Sequence, residues 1–225
     1  KQLLRALMNL RAPQPIAPEI LQIQDEYLQA EIASKGITEL ESLHEVQKGI
    51  YLWKGDITTL RVDAIVNAAN SGMTGCYYPC HGCIDNAIHS FAGVQLRLEC
   101  AKLMKRQGHD EPTGSAKITK AYNLPCGYVI HTVGPIVGHQ PTPKDRETLI
   151  SCYRSCMDLA RQNHLQSIAF CCISTGEFHY PNREAAEIAV QTVQNYKRQA
   201  ACPAKVVFNV FKDVDEQIYQ SIFSS

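Results

Sequence analysis

The chain has 225 residues, with 22 Lys and Arg against 22 Asp and Glu, so its formal net charge at pH 7 is zero. This balance excludes a protein that binds nucleic acid through a general surplus of positive charge, although it leaves room for a local basic patch. With 45% hydrophobic and 20% charged residues, the composition is typical of a soluble globular protein that buries a core.

Nothing in the sequence reads as a membrane or export signal. No apolar run approaches the ~20 residues that a membrane span needs, and the N-terminal stretch lacks the apolar segment of a signal peptide. We therefore expect a cytoplasmic protein, with neither a membrane nor nucleic acid as a partner.

Residues 1–43 read as a helical N-terminal extension packed on a domain formed by residues 44–225. The first part has leucines at helical spacing, at positions 3, 4, 7 and 10, and prolines at 13, 15 and 18 end this segment. A second helical period runs from Ile20 to Gly36. Two short helices with one apolar stripe each do not fold alone, so we expect another surface to cover both stripes.

From about residue 44 the sequence alternates strand, loop and helix. Compact runs rich in β-branched and aromatic residues predict strands at 49–54, 62–66, 127–133, 168–173 and 206–211. Helical periods separate several of them, which indicates crossover units and a largely parallel sheet covered by helices on both faces. In such sheets ligands bind beyond the carboxyl ends of the strands. This rule directs attention to the segments 67–89, 132–137, 174–181 and 209–213.

Ten cysteines are present, yet a chain of this size has a core and needs no disulfide framework. We therefore expect mostly reduced thiols. Cys152 and Cys156 share the apolar face of a predicted helix, and Cys171 and Cys172 end an apolar strand. Free cysteine usually packs as a small apolar residue at such positions.

The segment 67–89 is the densest in reactive side chains. Cys76, His81 and Cys83 place two thiols and an imidazole in one loop, and sulfur and nitrogen donors are the ligands that Zn²⁺ prefers. Three protein ligands with an open fourth position are typical of a catalytic zinc site, and we favour this interpretation. Two alternatives stay open: reduced residues that bind no metal, and a structural zinc completed by Cys80.

Asp85 follows this cluster at the start of a helix predicted to continue through Leu96. An acidic residue there stabilises the helix N-terminus. Beside a metal it could also orient or deprotonate a water molecule or a sugar hydroxyl. His89 lies four residues further along the same helix face, where a packed, hydrogen-bonded role is favoured.

The segment 174–181 combines small hydroxyl residues and a glycine directly after a predicted buried strand. Such a loop lets backbone N–H groups point into a concavity and hold an anion without cationic side chains. It also reads as an ordinary turn between strand and helix, so by itself the signal is weak.

Six segments occur in the order found in the macrodomain family of ADP-ribose-binding modules: 55–58, 63–70, 84–89, 114–116, 130–135 and 173–181. The sequence resembles this family over about residues 47–222, which implies a three-layer α/β/α fold with a mixed, largely parallel sheet. Hydrolytic members related to the MacroD type carry a run of glycines where this chain carries Cys76, His81 and Cys83. That replacement and the helical extension are similar to a zinc-containing subgroup of bacteria and fungi.

The resemblance also implies roles for individual residues. Asp56, with Ile57 beside it, would bind the adenine amino group, and Asn70 would face the distal ribose. The diphosphate would be wrapped by Ser174, Thr175, Gly176, Glu177 and Phe178. Phe211 would form a wall for adenine, since a base can stack on an aromatic face.

The resemblance predicts a zinc-dependent mono-ADP-ribosyl hydrolase that releases ADP-ribose from protein side chains, with Asp85 and Asn70 as its catalytic residues. Some bacterial members of the subgroup are linked to a sirtuin-type ADP-ribosyltransferase and a lipoyl-carrier protein, which are the implied partners. Asp85 would act as general base and stabilise the positive charge that develops on the sugar. Two other functions stay open: a reader that only binds ADP-ribose, and an O-acyl-ADP-ribose deacylase.

Overall fold

The structure, a computed structural model, describes residues 1–224. Its helices are α1 (Gln2–Leu10), α2 (Pro18–Lys35), α3 (Ile84–Ala92), α4 (Val94–Gln107), α5 (Pro143–Gln162), α6 (Asn182–Gln199) and α7 (Asp213–Phe223). Its strands are β1 (Thr38–Glu39), β2 (Glu45–Gln47), β3 (Ile50–Lys54), β4 (Leu60–Arg61), β5 (Ala64–Ala68), β6 (Ala116–Lys120), β7 (Tyr128–Thr132), β8 (Ser167–Phe170) and β9 (Lys205–Val210).

One sheet of seven strands organises the molecule, in the order β2-β3-β9-β8-β5-β7-β6. The five central strands, which are β3, β9, β8, β5 and β7, run parallel to one another. The two edge strands, β2 and β6, each pair antiparallel with their neighbour. Helix α6 packs against α5 and α7, and α3 packs against α1, α2 and α4. The expected α/β fold with a mixed, largely parallel sheet is therefore confirmed. All five parallel strands end at the same edge, which is where the candidate site lies.

The strands at the centre of the sheet are buried on both faces. Ala64, Ile65 and Val66 of β5 are 0% exposed, which is why this strand reads as a continuous apolar run. No disulfide joins any of the ten cysteines within the described residues 1–224. Cys152 and Cys171 belong to the buried core, as their apolar surroundings predict.

The structure differs from the predicted elements in several places, among them the short strands β1, β2 and β4, which were not predicted. The helix expected to run from Asp85 through Leu96 is two helices, because Gly93 has φ of +98° and separates α3 from α4. Strand β6 was not predicted. Its five residues include two lysines and only one large apolar residue, Ile118, which is typical of a sheet edge and gives little apolar signal.

The apolar stripe of α1 faces solvent, so the expectation that another surface covers it is wrong for this helix. Leu3, Leu7 and Leu10 are 74%, 58% and 58% exposed, whereas the polar Asn9 is 1% exposed. In α2, by contrast, Leu28 and Ile32 are each 3% exposed and anchor the helix. None of the described helices is at once long and apolar enough to span a membrane.

Candidate active site

The candidate site lies at the edge where the parallel strands end. Strand β3 leads to Asp56, β5 carries Asn67 and continues to Asn70, β8 leads to Ser174, and β9 ends one residue before Phe211. The sheet order places β9, β8 and β5 side by side. Residues from distant parts of the chain therefore meet at one edge, as the rule for parallel sheets predicts.

Residues 74–83, which we name the Cys/His loop, bring three potential metal ligands together. One donor atom each of Cys76, His81 and Cys83 lies within 4.8 Å of the others. Cys76 Sγ is 3.7 Å from His81 Nδ1. A tetrahedral zinc with bonds of about 2.3 Å to sulfur and about 2.1 Å to nitrogen holds these two atoms about 3.6 Å apart. The donor set and its spacing therefore fit a zinc ion.

Cys80 lies outside this group although it belongs to the same loop. Its exposed thiol donates to Gln2 O at 3.4 Å, and its N–H donates to Asn9 Oδ1 at 2.9 Å. Its φ of +54° is in the left-handed region. Among the described residues, no fourth Cys, His or carboxylate joins the group. The geometry thus favours three protein ligands over a four-ligand site completed by Cys80.

The second ring nitrogen of His81 faces a carboxylate. His81 Nε2 is 3.6 Å from Glu177 Oε1, while Nδ1 faces Cys76. A histidine that binds metal through one nitrogen commonly donates the other N–H to a carboxylate, which fixes the tautomer and the ring orientation. The contact also joins the Cys/His loop to the loop after β8. The sequence places Glu177 only around the diphosphate, and it did not predict this contact of its side chain with His81.

Asp85 is buried in the first turn of α3 and held by two asparagines. Its Oδ1 accepts from Asn67 Nδ2 at 2.8 Å, and its Oδ2 accepts from Asn70 Nδ2 at 3.3 Å. Burial raises the pKa of Asp85 to about 6, even though the Asn67 bond and the positive charge of Arg97 lower it. A carboxyl group whose pKa lies near the working pH is suited to proton transfer.

His89 lies beside Asp85 and is neutral. Burial, together with the neighbouring His131 and Arg97, holds its pKa well below the usual 6.5. The 3.5 Å between His89 Nε2 and Asp85 Oδ1 is therefore not an ion pair at pH 7. Neither ring nitrogen makes a hydrogen bond to any described residue. His89 is packed, as the sequence suggests, but the hydrogen bonds expected of it are absent from the described part of the chain.

A second group of potential ligands, His89, Cys100 and His131, is fully buried behind the carboxylate. Both nitrogens of His131 already have partners, Asn67 Nδ2 at 3.1 Å and Thr119 Oγ1 at 2.9 Å. Burial raises the pKa of the Cys100 thiol far above its usual range. The contact between His131 and Asn67 gives this group a structural role, which is to hold Asn67 beside Asp85.

The loop 174–181 offers backbone donors. Ser174 and His179 have φ of +65° and +56°, and Tyr180 N–H donates to Ser174 O at 2.9 Å. Between them, the N–H groups of residues 176–178 have no hydrogen-bond acceptor among the described residues. Consecutive free N–H groups in a turned backbone form an anion-binding concavity. We name residues 174–178 the phosphate loop.

At the opposite end of the edge, Asp56 is held by two partners. Its Oδ1 accepts from the N–H and the hydroxyl of Thr58 at 3.0 and 2.6 Å, and its Oδ2 accepts from Lys35 Nζ at 2.7 Å. Partial burial raises the pKa of Asp56, but the bonds from Lys35 and Thr58 outweigh it and the net shift is downward. Ile57 is buried beside it, and Phe211 is 77% exposed. Their roles toward adenine stay predictions.

Comparisons with known proteins extend over nearly the whole chain. A family model described as Macro domain matches residues 66–189. A protein of Treponema medium named Protein-ADP-ribose hydrolase is 58% identical over 100% of this chain and 87% of its own length. A protein of the same name from Staphylococcus aureus (strain MSSA476) is 49% identical, over 99% of this chain and 84% of its own length. The Trypanosoma brucei macrodomain solved in complex with ADP-ribose has a TM-score of 0.75 at 31% identity and covers 96% of this chain and 94% of its own.

Proposed function

This chain belongs to the macrodomain family, and we propose that it is a zinc-dependent hydrolase of protein-linked ADP-ribose. The hydrolase part is supported by the two relatives of that name, which match essentially the full chain. The zinc part is carried by one observation. The donor atoms of Cys76, His81 and Cys83 converge in the loop that ends two residues before the buried Asp85.

Zinc would be held by Cys76, His81 and Cys83, and when bound it supplies Lewis-acid polarisation of an oxygen of the distal ribose. The donor set suits zinc because thiolate and imidazole are its preferred ligands. Glu177 would fix the ring of His81 from the second nitrogen. With three protein ligands, one position is left for a ligand oxygen.

Asp85 is the proposed general base. Its Oδ1 is held by the short bond from Asn67, while Oδ2 has only the longer contact with the exposed Asn70. Asp85 would take a proton from water as the water oxygen bonds to C1″ of the distal ribose and the bond from C1″ to the protein side chain breaks. Positive charge develops on the sugar in such cleavage, and a nearby carboxylate stabilises it.

The rest of the nucleotide would be held by neutral groups. The N–H groups of residues 176–178, which have no acceptor among the described residues, would bind the diphosphate, and Asp56 and Phe211 would contact adenine. A chain with zero net charge can bind a dianion in this way because oriented backbone dipoles provide the attraction.

The finer identity of the substrate follows from the family resemblance. We propose that it is a protein carrying single ADP-ribose groups in the cytoplasm. A lipoyl-carrier protein modified by a sirtuin-type transferase is the first candidate to assay.

Binding and turnover measured on one preparation test this proposal. A mono-ADP-ribosylated protein is incubated with the wild type and with Cys83→Ala, free ADP-ribose is quantified, and ADP-ribose affinity is measured by calorimetry. We expect release by the wild type and strongly reduced release by the variant. Tight binding without any release would identify a reader instead. Full turnover by Cys83→Ala without detectable zinc would contradict the metal role.

A further inference from the structure

The N-terminal helix α1 is docked on the Cys/His loop by polar contacts rather than by apolar packing. Its leucines at positions 3, 7 and 10 are mostly exposed. A helix of nine residues is too short to be stable alone. The interactions that hold α1 are therefore polar. They lead to the loop, to Asn86 and Ser90 of α3 and, from Lys1 just before α1, to Glu31 of α2.

Two side chains of α1 bind the loop directly. Arg5 Nη2 donates to His81 O at 3.1 Å and to Asn86 Oδ1 at 2.7 Å, and Asn86 Nδ2 in turn donates to Tyr78 O at 2.9 Å. Asn9 Oδ1 accepts from Cys80 N–H at 2.9 Å. These bonds fix the backbone on both sides of Cys80 and at His81 itself, which is one of the proposed metal ligands.

Arg97 of α4 ties α1 to the beginning of the same loop. Its Nη1 donates to the carbonyl oxygens of Met8, Asn9 and Arg11 at 3.1, 2.6 and 2.8 Å, where α1 ends. Its Nε and Nη2 donate to the carbonyl oxygens of residues 74 and 76 at 2.7 and 3.3 Å. A cation is favourable at a helix C-terminus, and the planar fork of arginine can bind several oxygens at once. One guanidinium group thus joins the helix end to the backbone of the first metal ligand.

We propose that α1 is a positioning element of the active site, which holds the Cys/His loop in the conformation that brings Cys76, His81 and Cys83 together. The choice of zinc as the metal rests on the proposed function. The claim that α1 holds the loop in its conformation is independent of that function. The alternative is that α1 only covers the surface and adds general stability. Linkage separates the two, because loss of a contact that favours the metal-binding conformation must weaken metal binding, whereas loss of a contact that only covers the surface need not.

The test uses the full chain and three variants. Arg5→Met removes the guanidinium group but keeps an apolar stem, and Arg5→Lys keeps the charge but not the fork. Arg161→Met is the matched control, since Arg161 is an exposed residue of α5 whose ion pair is with Asp158. Hydrogen exchange of the peptides covering residues 76–83 is followed in zinc-free protein, and zinc affinity is measured by competition with a chelator.

In the zinc-free protein we expect Arg5→Met to speed exchange of residues 76–83, while the central strands exchange as in the wild type. Zinc affinity should fall about tenfold, the lower end of what loss of an outer contact costs a metal site. Arg5→Lys should show a smaller effect in the same direction, and it serves if Arg5→Met does not fold. Arg161→Met should change neither quantity.

Unchanged loop exchange and a zinc affinity within about twofold of the wild type in both Arg5 variants would overturn the inference while leaving the zinc proposal intact. A wild type that binds no zinc would refute the proposed metal instead. Loop exchange in the zinc-free protein would still decide whether α1 positions the loop, so the two failures are distinguishable.

Discussion

The two loops that meet at the candidate site are built by opposite means. The phosphate loop offers backbone N–H groups, and its shape comes from local left-handed conformations at residues such as Ser174. The Cys/His loop offers side chains, and its shape depends on contacts from α1, α3 and α4. Under the proposed function, this difference means that binding of the nucleotide and cleavage of its bond to protein would depend on separate parts of the chain. Changes in one loop should therefore leave the function of the other largely intact.

The substitution Asp85→Asn should have the largest effect, which is a loss of turnover. Loss of a general base typically costs about 10²- to 10⁴-fold in rate, so release of ADP-ribose from a modified protein should fall by that factor. ADP-ribose affinity, measured by calorimetry, should change little because the phosphate loop is untouched. A parallel loss of affinity would show that the two regions are not separate.

Next in size is the loss of a metal ligand in Cys76→Ser. Zinc affinity should fall by more than the roughly 10- to 100-fold that loss of an outer contact causes, as measured by chelator competition. Cys80→Ser is the matched control in the same loop, because the Cys80 thiol lies outside the ligand group. It should retain zinc. Equal loss of zinc in both variants would mean that Cys80 is a ligand after all.

The phosphate loop is tested by Gly134→Ala, because Gly134 lies against Ser174. A Cβ atom at this position would lie 2.0 Å from Ser174 Oγ and 2.9 Å from Ile173 Cγ2. Both side chains must move, and we expect the start of the phosphate loop to shift with them. Overpacking costs about 1–3 kcal/mol, and we expect ADP-ribose affinity to fall about 10- to 100-fold with unchanged zinc affinity. Gly138→Ala meets no atom within 4 Å among the described residues and is the control. Normal ADP-ribose binding by Gly134→Ala would show that the loop conformation does not determine affinity.

The smallest expected effect concerns the contact between the two loops. Glu177→Gln removes the carboxylate that faces His81 Nε2 but keeps the backbone donors. Zinc affinity should fall about tenfold, and ADP-ribose affinity should stay within about twofold. If turnover of the zinc-saturated variant fell as far as that of Asp85→Asn, Glu177 would be a proton donor rather than an orienting residue.

The sheet could be predicted from the sequence because its central strands are buried on both faces. Continuous apolar runs such as the one in β5 leave a clear signal. The edge strand β6 leaves little signal, since its five residues include two lysines and only one large apolar side chain. The break at Gly93 was missed because the apolar period continues across it, from Ile88 to Leu96.

The metal donors could also be predicted, because Cys76, His81 and Cys83 are close in sequence. Their supports could not, because Arg5, Asn9 and Arg97 approach the loop from 76, 71 and 21 to 23 residues away. The leucine stripe of α1 even indicated the wrong inward face. Its polar side chains make the hydrogen bonds to the loop, and they mark the face that the helix turns inward.

The central claim is that hydrolysis depends on zinc held beside Asp85. The direct measurement is zinc content by elemental analysis and ADP-ribose release on the same samples, before chelation, after chelation and after zinc is restored. We predict that turnover follows zinc content, approaches zero without zinc and returns when about one zinc per chain is bound. Full turnover in samples with no detectable zinc would contradict the account.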